Sequence, residues 1–213
     1  MRLNHARREI TLKIVYYGPG LSGKTTNLAW LHQVYPQEQR GELVQFETET
    51  ERTLFFDYFP VALAPVNGFR VRLDFFTVPG QSFYRATRQA VLNGADGIVF
   101  VADSSPARED ANLLSREDMV RTLAGRGTRL ADVPHVYQWN KRDVAGAVPE
   151  ARLERQLNPE GARSFCATAA SGEGVWETQQ GLIQEVLHAI RTRKAGAGAP
   201  RPADEPAAEV VRG

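Results

Sequence analysis

Gly18-Pro19-Gly20-Leu21-Ser22-Gly23-Lys24-Thr25 matches the pattern G-x-x-x-x-G-K-[ST], and it stands between a strand-like run at residues 11–17 and a helical pattern at 24–35. That placement is what a phosphate-binding loop requires. Glycines let backbone N–H groups turn inward around an anion, and the start of the helix adds its own unpaired N–H groups and dipole. Gly18, Gly20, Leu21, Ser22, Gly23, Lys24, Thr25 and Thr26 are the expected nucleotide-binding residues of this segment. Lys24 sets a cation against the β- and γ-phosphates, and the Thr25 hydroxyl is a ligand for Mg²⁺.

Outward from this loop, strand-like segments at 69–78, 97–102, 135–140 and 163–168 alternate with helical patterns at 83–93, 108–125 and 174–193. Alternation of this kind predicts an α/β domain with a mostly parallel sheet of six or seven strands and helices on both faces. Residues 97–102 are apolar nearly throughout, as in a central strand covered on both sides. The segments at 54–63 and 69–78 are both strand-like, and the intervening Ala64-Pro65-Val66-Asn67-Gly68 carries an Asn-Gly hairpin signal, so one antiparallel hairpin is expected.

Asn140-Lys141-Arg142-Asp143, about 115 residues beyond Lys24, closes the run 135–140 and has the form N-K-x-D. A carboxylate at Asp143 accepts two hydrogen bonds from the N1–H and exocyclic amine of guanine. Adenine offers neither donor there, so it would leave the carboxylate unpaired at a cost of roughly 1–3 kcal/mol per lost partner. Ligands of open α/β sheets bind at the carboxyl ends of strands, where this segment lies. GTP and GDP are therefore the expected nucleotides.

Together these segments resemble the Ras superfamily of P-loop NTPases, and more closely its MglA-type bacterial small GTPases. Residues 13–28, 48–57, Thr77-Val78-Pro79-Gly80-Gln81, Val99–Asp103 and Asn140–Asp143 carry the likeness, which spans roughly residues 9–193. The resemblance implies a small G-domain. Thr77 stands where most relatives have the aspartate that orients Mg²⁺ through water, a replacement typical of the MglA group. Asp57 either supplies a carboxylate from the neighbouring strand or is simply a solvent-facing or hairpin-pairing residue. Gly80 is expected to offer its N–H to the γ-phosphate, and Gln81 to orient the attacking water. Thr53 is expected to reach Mg²⁺ and the γ-phosphate from the first switch, Glu49–Thr53. Its neighbour Arg52 is either an arginine finger in cis or a charge paired with Glu49 or Glu51. Thr168 and Ala169 occupy the place of a base-contacting loop. The catalytic set is thus Gln81, Arg52 and Lys24, and the metal set Thr25 and Thr53.

The same resemblance implies an activating partner of the Roadblock (MglB) type, which stimulates hydrolysis without donating an arginine, and an effector that reads the switch regions. The function expected is a GTP-binding switch with slow, partner-stimulated hydrolysis, in the control of bacterial polarity or motility. A nucleotide-stabilised scaffold is the alternative. A work-performing NTPase would want a carboxylate where Thr77 stands.

Composition narrows the remaining choices. With 26 basic and 25 acidic residues there is no charge excess to draw the chain to nucleic acid. The single cysteine, Cys166, excludes an intramolecular disulfide, which fits a reduced cytoplasm. Neither Arg2 nor the terminus Val210-Val211-Arg212-Gly213 offers a lipid-modification signal, so recruitment to a membrane or cell pole is expected through a partner. The domain is assigned to residues 1–194. Residues 195–213 are rich in Ala, Gly and Pro and read as a disordered tail or an extended partner-binding peptide. The aromatic run 54–59 is either core or a partner surface. Trp30, Trp139 and Trp176 are read as packing residues.

Overall fold

The computed structural model describes residues 1–46, 56–66, 68–80 and 84–197. Arg52, Thr53, Gln81, Asn67 and the tail from 198 onward lie outside the described residues. The strands are β1 (Arg2–Asn4), β2 (Glu9–Tyr17), β3 (Val44–Phe46), β4 (Phe56–Val66), β5 (Phe69–Thr77), β6 (Gly97–Asp103), β7 (His135–Asn140) and β8 (Ser164–Cys166). The helices are α1 (Lys24–Val34), α2 (Arg85–Leu92), α3 (Glu109–Ala124), α4 (Glu150–Leu157) and α5 (Val175–Ala197).

All strands join one sheet in the order β3-β4-β5-β2-β6-β7-β8, with β1 added beside β2. Strands β5, β2, β6, β7 and β8 run parallel, and β4 pairs antiparallel with β5 as the Asn-Gly turn predicts. The sheet has eight strands where six or seven were expected, and three antiparallel pairs where one was. Both additions come from three-residue strands too short to show a period: β1 on β2, and β3 on β4. Since β6 pairs only with Ile14–Tyr17, the first half of β2 on that side is left for β1 to cover. Helix α4 also lay outside the expected alternation. It buries Leu153 and Leu157, one turn apart. The domain boundary expected at 194 falls within the last turn of α5.

Strand alternation divides the core into two layers. Leu12, Ile14 and Tyr16 of β2, with Val99 and Val101 of β6, pack with Leu28, Leu31, Leu182 and Val186 of α1 and α5. Val15 and Tyr17, with Ile98, Phe100 and Ala102, pack with Val91, Met119, Leu123 and Leu153 of α2, α3 and α4. No residue of β6 is exposed, as its apolar run predicts. Trp139 is buried against Tyr137 with ring centroids 5.4 Å apart, and Trp176 lies 5.5 Å from Tyr35. Trp30 packs on the same core. In the described part of the aromatic run Phe59 is buried and stacks on Phe75, while the half-buried Phe56 and Tyr58 rest on Phe76. Among the described residues no helix is long and apolar enough to cross a membrane.

Candidate active site

The phosphate loop leaves the end of β2 and is shaped by what crowds it. Gly18, at φ +147°, sits so close to β6 that a Cβ would lie 2.2 Å from the Val101 carbonyl oxygen. Gly23 caps α1 at φ +96°, and a Cβ there would meet the Asn140 amide nitrogen at 2.2 Å. These two positions admit only glycine. Leu21, at φ +65°, projects its side chain into solvent.

Lys24 lies inside this loop. Its ammonium donates to the carbonyl oxygens of Gly18 (3.0 Å) and Pro19 (2.6 Å), and the side chain is buried. Burial pulls its pKa down to about 7, because no water solvates the charge. Asp57 acts against that shift and the guanidinium groups of Arg88 and Arg108 act with it. A buried cation of this kind suits an incoming polyanion.

Thr25 begins the solvent-facing side of α1. Its hydroxyl donates to Asp57 Oδ2 at 2.6 Å, and the Thr77 hydroxyl donates to the same oxygen at 2.9 Å. Thr77 in turn accepts the Asp57 backbone N–H at 2.8 Å. Asp57 therefore pairs across the β4–β5 hairpin and also brings its carboxylate to Thr25. The solvent-facing reading is wrong, since Asp57 is buried, while hairpin pairing and approach to Thr25 meet in one arrangement. Gly80 packs straight onto the phosphate loop, so that a Cβ on it would lie 2.2 Å from the Gly20 Cα. Thr26 is exposed at the same helix end.

Asn140 ties the loop after β8 to the phosphate loop. Its amide donates to the Ser22 carbonyl at 2.7 Å, and its carbonyl accepts from the Ala169 N–H at 2.9 Å. Lys141, held at φ +62°, reaches Asp103 Oδ2 at 2.8 Å. Burial raises the Asp103 pKa, but the hydrogen bonds from Lys141 and Ser105 outweigh it and hold the carboxyl below its usual value. Asp143 is exposed and lines an open cleft with Arg142, Thr168, Ala170, Ser171 and Glu173. Thr168 and Ala169 are buried at its edge. Thus Lys24, Thr25, Asn140, Lys141, Asp143, Thr168 and Ala169 converge at the carboxyl end of the sheet, while Arg52, Thr53 and Gln81 lie outside the described residues.

Two residues that brace the site were assigned no role from the sequence. Asp103 closes the apolar run of β6 with a buried carboxylate, a signal that was there to be read. Arg108 donates to the Gly20 carbonyl at 2.6 Å, a contact across 88 residues that no local pattern announces.

No family model matches the chain. Among known proteins it is 44% identical over 189 residues to the mutual gliding-motility protein MglA of Myxococcus xanthus (strain DK1622), covering 89% of this chain and 97% of that protein. It is 30% identical over 125 residues to ADP-ribosylation factor-like protein 6 of Caenorhabditis briggsae, covering 56% of this chain and 65% of that one. The same protein of Caenorhabditis elegans is 27% identical over 124 residues, or 56% and 64%. A likeness of that extent to MglA, over a fold with a phosphate loop and an N-K-x-D cleft at one sheet edge, places this chain in the MglA-type small GTPases of the Ras superfamily, GTP-binding switches that hydrolyse GTP to GDP and phosphate.

Proposed function

We propose that this chain switches between GTP- and GDP-bound shapes, that its unaided hydrolysis is slow, and that a Roadblock-type, MglB-like protein accelerates it. The observation that carries the reading is the Asn140 side chain, which bonds the phosphate loop to the base-side loop and so holds Lys24 and Asp143 on one ledge. GTP lies with guanine on Asp143 and its β- and γ-phosphates on Lys24. Gly80 donates its N–H to the γ-phosphate, and Gln81 orients water for in-line attack. Arg52 steadies the charge that develops on the γ-phosphate. Loss of that phosphate releases the Gly80 and Thr53 contacts, and the switch segments relax.

The donor set at Thr25 suits a hard divalent cation. A hydroxyl and a buried carboxylate stand 2.6 Å apart, both oxygen ligands of the kind Mg²⁺ takes. Thr25 and Thr53 would hold Mg²⁺, and Asp57 would supply the negative charge that Thr77 lacks. When bound, the ion offsets charge on the β- and γ-phosphate oxygens.

The similarity to a mutual gliding-motility protein supports a role in polarity or motility, with recruitment to the pole or membrane by a partner. Single-turnover GTP hydrolysis, with and without a Roadblock-type protein, tests the mechanism. The partner should accelerate it by about 10³-fold or more, and Gln81→Ala and Arg52→Ala should each remove most of that gain. Tight nucleotide binding with no hydrolysis under any condition would make the chain a scaffold instead.

A further inference from the structure

Behind the phosphate loop, between α2 and α3, lies a cleft of about 480 Å³, within the roughly 300–1,000 Å³ of ligand sites. Its walls include Gly18, Gly20 and Gly80 of the phosphate site but neither Lys24 nor Thr25, so it adjoins that site and runs away from it along α2 and α3. Among the described residues, four guanidinium groups line it, Arg85, Arg88, Arg108 and Arg121, against one carboxylate, that of Asp118. The whole chain carries a net charge of only +1, so this concentration of positive charge is local.

Among the described residues, Arg88 is paired, whereas the carboxylates near Arg108 and Arg121 offset their charge only in part. Asp118 accepts from Arg88 at 2.8 Å and also from the Tyr17 hydroxyl at 2.6 Å. Arg108 Nε is buried without a hydrogen bond among the described residues, and Asp103, 3.9 Å away, is already engaged by Lys141. Arg121 is 69% exposed and meets the equally open Glu117 at 3.8 Å, a pairing that water screens. Arg85 is exposed on the rim. Leu114, 63% exposed, adds an apolar wall beside Ala111.

Length decides what such a cleft holds. From Arg108 to Arg121 is about 20 Å along α3 at about 1.5 Å per residue, too far for one small anion and matched by about six residues of extended chain. We infer that this cleft docks an acidic segment of a partner protein, whose carboxylates meet Arg85, Arg108 and Arg121 and whose apolar side chain covers Leu114. Building on the GTP-switch reading, the segment senses nucleotide state, because Arg108 holds the Gly20 carbonyl and Gly80 forms part of the same wall. Whatever moves Gly80 toward the γ-phosphate reshapes the cleft, and by linkage an occupied cleft biases nucleotide state in return.

The test uses a fluorescent peptide, Glu-Glu-Leu-Glu-Glu-Leu-Glu-Glu, titrated by anisotropy with the full chain bound to GDP or to a non-hydrolysable GTP analogue. Saturable, salt-sensitive binding is expected, differing about tenfold between the two nucleotide forms. Arg85→Gln with Arg121→Gln should weaken it about tenfold, and Leu114→Ser about threefold, with fluorescent-GDP affinity unchanged as the check on folding. The inference is overturned if the double variant binds like the wild type, if no saturable binding is reached at millimolar peptide, or if both nucleotide forms bind equally. Displacement by inorganic phosphate, or by oligothymidine as readily as by unlabelled peptide, also overturns it in favour of a small-anion or nucleic-acid site. A chain that binds GDP but not the peptide defeats this inference alone; one that binds no GDP defeats the switch reading itself.

Discussion

Asp57 changes how the altered switch motif is understood. With Thr77 in place of an aspartate, the negative charge near Thr25 comes from the adjacent strand, through hydroxyl contacts of 2.6 and 2.9 Å on one carboxylate oxygen. Asp57→Asn keeps the shape and removes the charge. The Mg²⁺ concentration that half-maximally slows GDP release should rise about tenfold, the scale of a charge-assisted contact of about 1.5 kcal/mol. An unchanged midpoint would reduce Asp57 to a hairpin residue. Lys24 gives a second test. Its pKa near 7 lies below the unfolded value of 10.5, so between them the unfolded chain binds more protons and the nucleotide-free protein gains stability as pH rises. Phosphates restore the ammonium, so GDP binding at about pH 8.5 should take up close to one proton. Calorimetry in two buffers of different ionisation enthalpy measures that uptake, and a buffer-independent heat would contradict it.

Loops in this protein are held by contacts between distant elements. Gly23 caps α1, packs on Asn140 at the end of β7, and through it joins the loop after β8. Gly23→Ala should strain a φ of +96° and push Asn140 off Ser22, lowering GDP affinity by at least about a hundredfold, read by fluorescent-GDP titration. Retained affinity would mean the junction is not needed. Much of this was legible in the sequence. Apart from α4, the order of the helices and of the longer strands followed from periodicity, and the β4–β5 hairpin from Asn67-Gly68. Strands β1 and β3 were not legible because three residues carry no period, and they form only where β2 and β4 offer an uncovered edge. At the site, the motif residues were readable because their chemistry is local. Arg108 on Gly20 and Lys141 on Asp103 were not, since they span 88 and 38 residues and exist only after the sheet assembles.

Across the whole molecule, the sheet sets a phosphate side and a base side along one carboxyl edge, and two apolar layers fix their spacing. A nucleotide that bridges both sides stabilises the entire fold, by about 2.7 kcal/mol at a hundredfold excess over its dissociation constant. On the reading proposed above, the base enters that stabilisation through complementarity with Asp143. Asn at this position offers an amide donor in place of one carboxylate oxygen, which suits xanthine, where a C2 carbonyl replaces the guanine amine. The most direct measurement is thermal unfolding of wild type and Asp143→Asn with GDP, ADP and xanthosine diphosphate at equal concentration. The wild type should be raised several degrees by GDP and little by ADP, and Asp143→Asn should respond to xanthosine diphosphate more than to GDP. Equal stabilisation of the wild type by ADP and GDP, or a variant that still prefers GDP, would contradict a guanine-specific switch.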